Sequence, residues 1–156
     1  MAILTTLSME QFVSEVRGYL RDFAELNQLI AGEETSDRMI QYCVCMAIDE
    51  FNTSPPLSAF TVSDFPSRHI LMNLTICHIL TSVGILKSRN RLSYSDSGFS
   101  VDTETQDDRY ARWITLLRTQ LNSQIMRLKV ALNIQDGYGA SLGSEYGWIH
   151  GWYGIT

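Results

Sequence analysis

The sequence predicts a mainly α fold: a small four-helix bundle, a β-hairpin or loop inserted between the third and fourth helices, and an extended C-terminal arm. Three observations predict it. Apolar residues recur at steps of three and four in four separate stretches, the period of a helix with one buried face. Ser, Thr and Asp stand ahead of these stretches, and Gly or Pro follows several of them, as helix starts and stops require. The chain closes on "GSEYGWIHGWYGIT", whose four glycines oppose helix formation while its two tryptophans and two tyrosines oppose solvation.

The first helix starts at Ser8, where Gln11 completes a capping box. Its stripe is Phe12, Val16, Tyr19, Leu20, Phe23, Leu26 and Ile30, and "AGEET" breaks it. Thr35 or Ser36 caps the second helix, whose inward positions are Ile40, Cys43, Val44, Ala47, Ile48 and Phe51. Pro55 and Pro56 end it, because they lack amide protons and push the preceding residues toward extended backbone. "PPLSAFTVSDFP" is then a crossing segment, either a short strand or a strap, and Asp64 restarts the helical pattern. The third helix carries Ile70, Leu71, Leu74, Cys77, Leu80, Val83 and Leu86, with Met72, Ile76 and Ile79 on its other faces. Burial on more than one side makes it the expected central helix.

In "NRLSYSDSGFSVDTET" the period changes, and Leu92 and Tyr94 before "DSG" with Phe99 and Val101 after it predict the hairpin or ordered loop. The fourth helix, from about Asp107 to about Leu132, has the cleanest stripe: Tyr110, Ile114, Leu117, Leu121, Ile125, Leu128 and Leu132. At 1.5 Å per residue it spans on the order of 40 Å. Asn133 to Gly137 ends it. Residues 1–136 thus form the expected bundle domain, with the insertion at about 88–106, and residues 137–156 form the arm.

Length and composition allow one compact domain: 156 residues, 45% of them hydrophobic and 19% charged. A net charge of −5 leaves no global positive field for phosphates, which argues against sequence-specific DNA binding. Arg109, Arg112, Arg118 and Arg127 lie along one late segment, where a solvated helix surface is the ordinary reading. Cys43, Cys45 and Cys77 sit in apolar helical stretches, as expected of buried thiols in a reducing, cytoplasmic compartment. "MAILTTLSMEQ" lacks the pattern of a signal peptide, and no stretch reads as the roughly 20 apolar residues of a membrane span. No membrane association is expected.

Chemistry-bearing patterns are sparse, so no catalytic, cofactor-binding or metal-binding residues are assigned. His69 and His78 are nine residues apart, which turns them to opposite sides of a helix. Neither Glu-x-x-His nor CxxC occurs, so the di-iron bundle and structural zinc signatures are missing. There is no G-x-S-x-G elbow, and "GYGASLG" has neither the preceding strand nor the lysine of a phosphate loop. Asp107 and Asp108 suit a helix start, while Asp49 with Glu50 near a helix end has no evident role. The expected protein is not an enzyme. What stands out is the arm, in which Tyr138, Tyr146, Trp148, Trp152 and Tyr153 alternate with six of the ten glycines. Such aromatics bury about 150–250 Å² each and are common interface anchors, so these five residues are the expected partner-binding set.

Three stretches carry a resemblance: "AIDEFNTSPPLSAFTVSDFP", "NRLSYSDSGFSVD" and "LKVALNIQDGYGASLGSEYG". With the helices between them, over about residues 36–147, they resemble the head-to-tail connector proteins, also called adaptor or neck proteins, of tailed bacteriophages. The resemblance implies a helical bundle with an inserted loop, assembled as a homo-oligomeric ring, commonly of twelve copies, beneath the portal vertex. The implied function is to join the portal to the tail and extend the DNA channel, with the arm docking on the portal protein or on neighbouring copies. Tyr94, Asp96, Gly98 and Phe99 then form a candidate channel or ring-contact loop. The other implied partners are a tail-side neck or terminator protein and packaged DNA passing non-specifically through the channel. The implied location is the virion neck, after assembly in the host cytoplasm. A tail terminator or completion protein, and a small helical regulator that captures a host factor, are the alternative readings.

Overall fold

The computed structural model describes residues 8–27, 32–89, 94–96, 99–101 and 104–138. The fold is mainly helical, with four helices: α1 (Met9–Leu20), α2 (Asp37–Thr53), α3 (Arg68–Arg89) and α4 (Glu104–Tyr138). Two three-residue strands, β1 (Tyr94–Asp96) and β2 (Phe99–Val101), lie antiparallel with Tyr94 opposite Val101 and Asp96 opposite Phe99. Gly98 lies outside the described residues.

The expected capping box forms. Gln11 N donates to Ser8 Oγ at 3.2 Å and Ser8 N donates to Gln11 Oε1 at the same distance. Yet α1 ends ten residues before Ile30, at a left-handed Arg21 whose φ is 56°. The periodicity through Phe23 and Leu26 is therefore misleading, and both side chains are exposed. Asp22 provides the reason: its carboxylate accepts from Glu34 N at 2.7 Å, Thr35 N at 2.8 Å and Asn27 Nδ2 at 2.6 Å. Three donors converging on one buried side chain fold the chain back where an uninterrupted helix would carry it onward.

Ser36 caps α2, accepting from Met39 N at 3.3 Å. Beyond Thr53 the crossing segment is a strap, with no strand among its residues. Asn52 fastens it: its Nδ2 donates to Phe60 O at 2.9 Å, while its Oδ1 accepts from Phe60 N and Ser58 Oγ, each at 3.0 Å. Asp64 closes a local turn with Thr61 N at 2.5 Å instead of starting a helix. The following helix begins only at Arg68, with Ser67 Oγ accepting from Ile70 N at 3.4 Å.

α3 is the central helix, packed against α2, α4 and α1. Ile70, Leu71, Leu74, Thr75, Ile76, Cys77 and Ile79 are all buried, and the Thr75 hydroxyl is satisfied by Leu71 O at 2.8 Å. Leu86, expected in the core, is 54% exposed. Its most apolar 18-residue window has a mean hydropathy of 1.6, so by length and composition it is apolar enough to cross a membrane, contrary to the expectation from sequence. Burial between flanking helices accounts for the same composition.

The core is continuous from Phe12, Val13 and Val16 through the inward face of α2 to Leu71, Leu74, Cys77, Leu121 and Ile125. α4 is longer than expected, about 50 Å for its 35 residues. It passes through Gly137 to Tyr138, so the first two residues assigned to the arm are its last turn.

Candidate functional site

Of the residues expected to bind partners, Tyr138 is the final residue of α4, and Tyr146, Trp148, Trp152 and Tyr153 lie outside the described residues. Tyr94 and Asp96 belong to β1 and Phe99 to β2. Three other features of the described residues merit a functional reading.

The first is a charged junction of α2, α3 and α4. Glu50 on α2 accepts from Arg118 Nη1 on α4, and its other oxygen lies 2.9 Å from His78 Nε2 on α3. The His78 contact is an ion-pair distance without hydrogen-bond alignment. His78 foremost, then Arg118, holds the Glu50 carboxyl below its usual range against an opposing push from burial. Cys77, next to this junction, is fully buried, and burial raises its thiol pKa. A thiol kept protonated and out of solvent is a poor nucleophile, so the trio reads as a clamp across three helices. Sequence reading missed it because Glu50, His78 and Arg118 are far apart in the chain. Cys45, expected to be buried, is exposed on α2, since the two-residue step from Cys43 turns it outward.

The second is Lys129, only 2% exposed. Its Nζ donates to Ser54 O at 2.6 Å and Pro56 O at 2.9 Å, and lies 4.6 Å from the centre of the Phe51 ring. Burial lowers its pKa. A cation placed on carbonyls beyond the end of α2 answers acceptors that the helix leaves open and the negative end of its dipole. Among the described residues no group of three or more His, Cys, Asp or Glu is placed to hold a metal ion.

The third is the outward side of α4. The expected stripe does face the core, with Leu121 and Ile125 buried and Tyr110, Ile114, Leu117, Leu128 and Leu132 half-buried. At 100° per residue, Leu116, Met126, Val130 and Ile134 fall on the other side, and with Trp113 they are 49–60% exposed. Met126, Val130 and Ile134 follow one another at steps of four, in line along the helix. An apolar groove of about 370 Å³ also runs between α3 and α4, lined by Leu80, Gly84, Ile85, Tyr110 and Ile114 among others.

Comparison of the chain with protein-family models, curated proteins and solved structures finds no match.

The charged contacts set an acid response. Asp22 is pushed up by burial, but the amides of Glu34 and Thr35, the Asn27 side chain and Arg17 outweigh this and hold it below its ordinary value. Glu50 is lowered as well. A carboxylate lowered on folding contributes stability that is fully present above its unfolded pKa, about 4, and is lost as pH falls through its folded value. Thermal melts of Asp22→Asn are expected to show a lower Tm at neutral pH and a flatter decline between about pH 5 and pH 2 than the parent chain. Parallel acid limbs would mean that Asp22 does not supply the dependence.

Proposed function

We propose that this chain is a structural protein of the tailed-phage neck, forming a homo-oligomeric ring that joins portal to tail and continues the DNA channel. It works by joining other proteins and carries out no catalysis. The chain is then a four-helix bundle with a hairpin inserted between α3 and α4 and an extended arm that docks on the portal protein through Tyr146, Trp148, Trp152 and Tyr153. The ring has twelve copies, its tail-side face meets a neck or terminator protein, and DNA passes through without specific contacts. The acidic balance of the chain, −5 overall, suits a conduit that must not retain a polyanion.

The observation that carries the reading is the outer side of α4. Beyond the inward stripe that packs on α3, Leu116, Met126, Val130 and Ile134 are exposed on the opposite side of the helix, and Trp113 is exposed on its flank. Apolar residues gathered on one exposed face favour a protein partner. The sequence resemblance adds that the partner is another copy and that the assembly sits on a portal.

Mixing the purified chain with phage portal and imaging by electron microscopy tests this directly. The expected result is a ring stacked coaxially on the portal. Deleting residues 139–156 is expected to abolish stacking while leaving the far-ultraviolet helical signal nearly unchanged. Stacking by the truncated chain would reject the docking role of the arm.

A further inference from the structure

This inference rests on the ring reading and gives it a surface. From Tyr110 to Ile134, α4 contains no Asp or Glu and four cations, Arg112, Arg118, Arg127 and Lys129. Arg118 and Lys129 are turned inward, onto Glu50 and onto the carbonyls of Ser54 and Pro56. Arg112 and Arg127 are exposed, on the same side as Leu116, Met126, Val130 and Ile134. Between Tyr110 and Ile134 the outer side of α4 is thus apolar and cationic, on a chain whose net charge is −5, with Asp108 one turn before Arg112. A matching surface exists elsewhere on the fold. On the outward side of α2, Tyr42 is 60% and Met46 39% exposed, and Asp49 is exposed one turn further on. The only cation on that side of α2 is Arg38, at the opposite end of the helix. From Tyr42 to its C-terminal end, the outer side of α2 therefore offers two large exposed side chains, a carboxylate and the negative end of a helix dipole.

We infer that the outer face of α4 in one copy seats on the outer face of α2, from Tyr42 to Asp49, in a second copy. Charge complementarity selects this partner. The competing arrangement, α4 against α4, brings together two faces that each carry Arg112 and Arg127 and, between Tyr110 and Ile134, no carboxylate. Like charges so placed oppose association. α2 and α4 both pack on α3, and their outer faces are different surfaces of the same copy. A contact between two different faces is heterologous, so an end copy keeps one face open and the assembly propagates, closing as a ring when the rotation between copies returns it to the first. A two-fold contact would stop at a dimer.

Cys45 is a built-in reporter, because it is exposed on α2 between Tyr42 and Asp49. The test uses the full chain carrying Val130→Cys, treated with a short bis-maleimide at high protein concentration, with sedimentation run on the same sample. The expected result is a ladder of dimers, trimers and higher species on a denaturing gel, lost in Val130→Cys with Cys45→Ser. Arg112→Glu with Arg127→Glu is expected to reduce the cross-linked fraction at least tenfold. Adding Asp49→Arg to Arg127→Glu should recover much of what Arg127→Glu alone loses. All these positions are exposed, and circular dichroism verifies that each variant is folded. A dimer that still cross-links after Cys45→Ser overturns the inference in favour of α4 against α4. Oligomers in sedimentation without any ladder overturn the surface while leaving the ring reading intact. A chain that stays monomeric overturns both.

Discussion

Replacing Arg17 with alanine is expected to lower the unfolding free energy by about 3–5 kcal/mol, the cost of breaking a buried ion pair from one side. Arg17 is 7% exposed and its guanidinium is used on every edge. Nη1 donates to Asp22 O at 3.2 Å and Nη2 to Thr35 O at 2.9 Å, while Nε and Nη2 reach Asp37 Oδ1 at 3.2 and 2.6 Å. Asp22, also 7% exposed, lies 3.6 Å away, and Glu33 is 3.0 Å from Nη1. Without the guanidinium, the Asp22 charge loses its counter-ion and the carbonyls of Asp22 and Thr35 lose their donor, in a turn where Asp22 and Thr35 are both buried. The contact to Asp37 is not the source of the cost. Its carboxylate side chain is 66% exposed, and exposed pairs contribute about 0–1 kcal/mol. Denaturant unfolding should therefore rank Arg17→Ala far below Asp37→Ala, which loses at most about 1 kcal/mol. Equal losses would place the energy in the surface pair and refute the buried-turn account. Because small domains hold only about 5–15 kcal/mol in total, the Arg17 variant should melt many degrees lower.

That same turn marks where the sequence stopped being informative. Tyr19, Leu20, Phe23 and Leu26 continue a helical period, and nothing local to them announces that Asp22 will gather amides from Glu34 and Thr35, twelve and thirteen residues ahead. Tertiary hydrogen bonding overrode a local pattern there, whereas at Asp64 a bond from Thr61 N, only three residues back, displaced the expected helix start. α4 was legible because its inward stripe runs unbroken from Tyr110 to Leu132 and no competing acceptor intervenes. The caps at Ser8 and Ser36 were legible because they act within three residues of themselves. Sites built from distant residues were not: Glu50, His78 and Arg118 come from three helices, and Asp49 beside Glu50 obscured which carboxylate turned inward. Lys129 was hidden for a related reason. It occupies a buried position one residue beyond Leu128, and only the fold reveals the carbonyls that make a lysine acceptable there. The outer face of α4 was equally hidden, since Leu116, Met126, Val130 and Ile134 read as a second apolar side only once the first is seen to be occupied.

Phe51→Ala is the other change of large expected effect, at about 3–5 kcal/mol, the range for removing a buried aromatic ring. Phe51 is fully buried on α2, and three groups close on its ring. Phe65 lies with its centroid at 4.7 Å, Phe60 at 5.9 Å, and the Lys129 amine at 4.6 Å. Phe60 and Phe65 belong to the strap, so the ring is the surface onto which the segment after Pro55–Pro56 packs. Alanine there leaves a cavity that the strap cannot fill without breaking the Asn52 bonds to Phe60 and Ser58. It also strips Lys129 of its aromatic face while leaving its carbonyl acceptors in place. Lys129→Met separates these effects. Methionine keeps the apolar stem but withdraws the donor from Ser54 O and Pro56 O, and each buried carbonyl left without a partner costs about 1–3 kcal/mol. Chemical denaturation of the two single variants and the double variant should show a loss smaller than the sum of the single losses, since contacting residues couple by about 0.5–3 kcal/mol. Strict additivity would mean that ring and amine stabilise the strap independently, contrary to the stacked arrangement in which one holds the other.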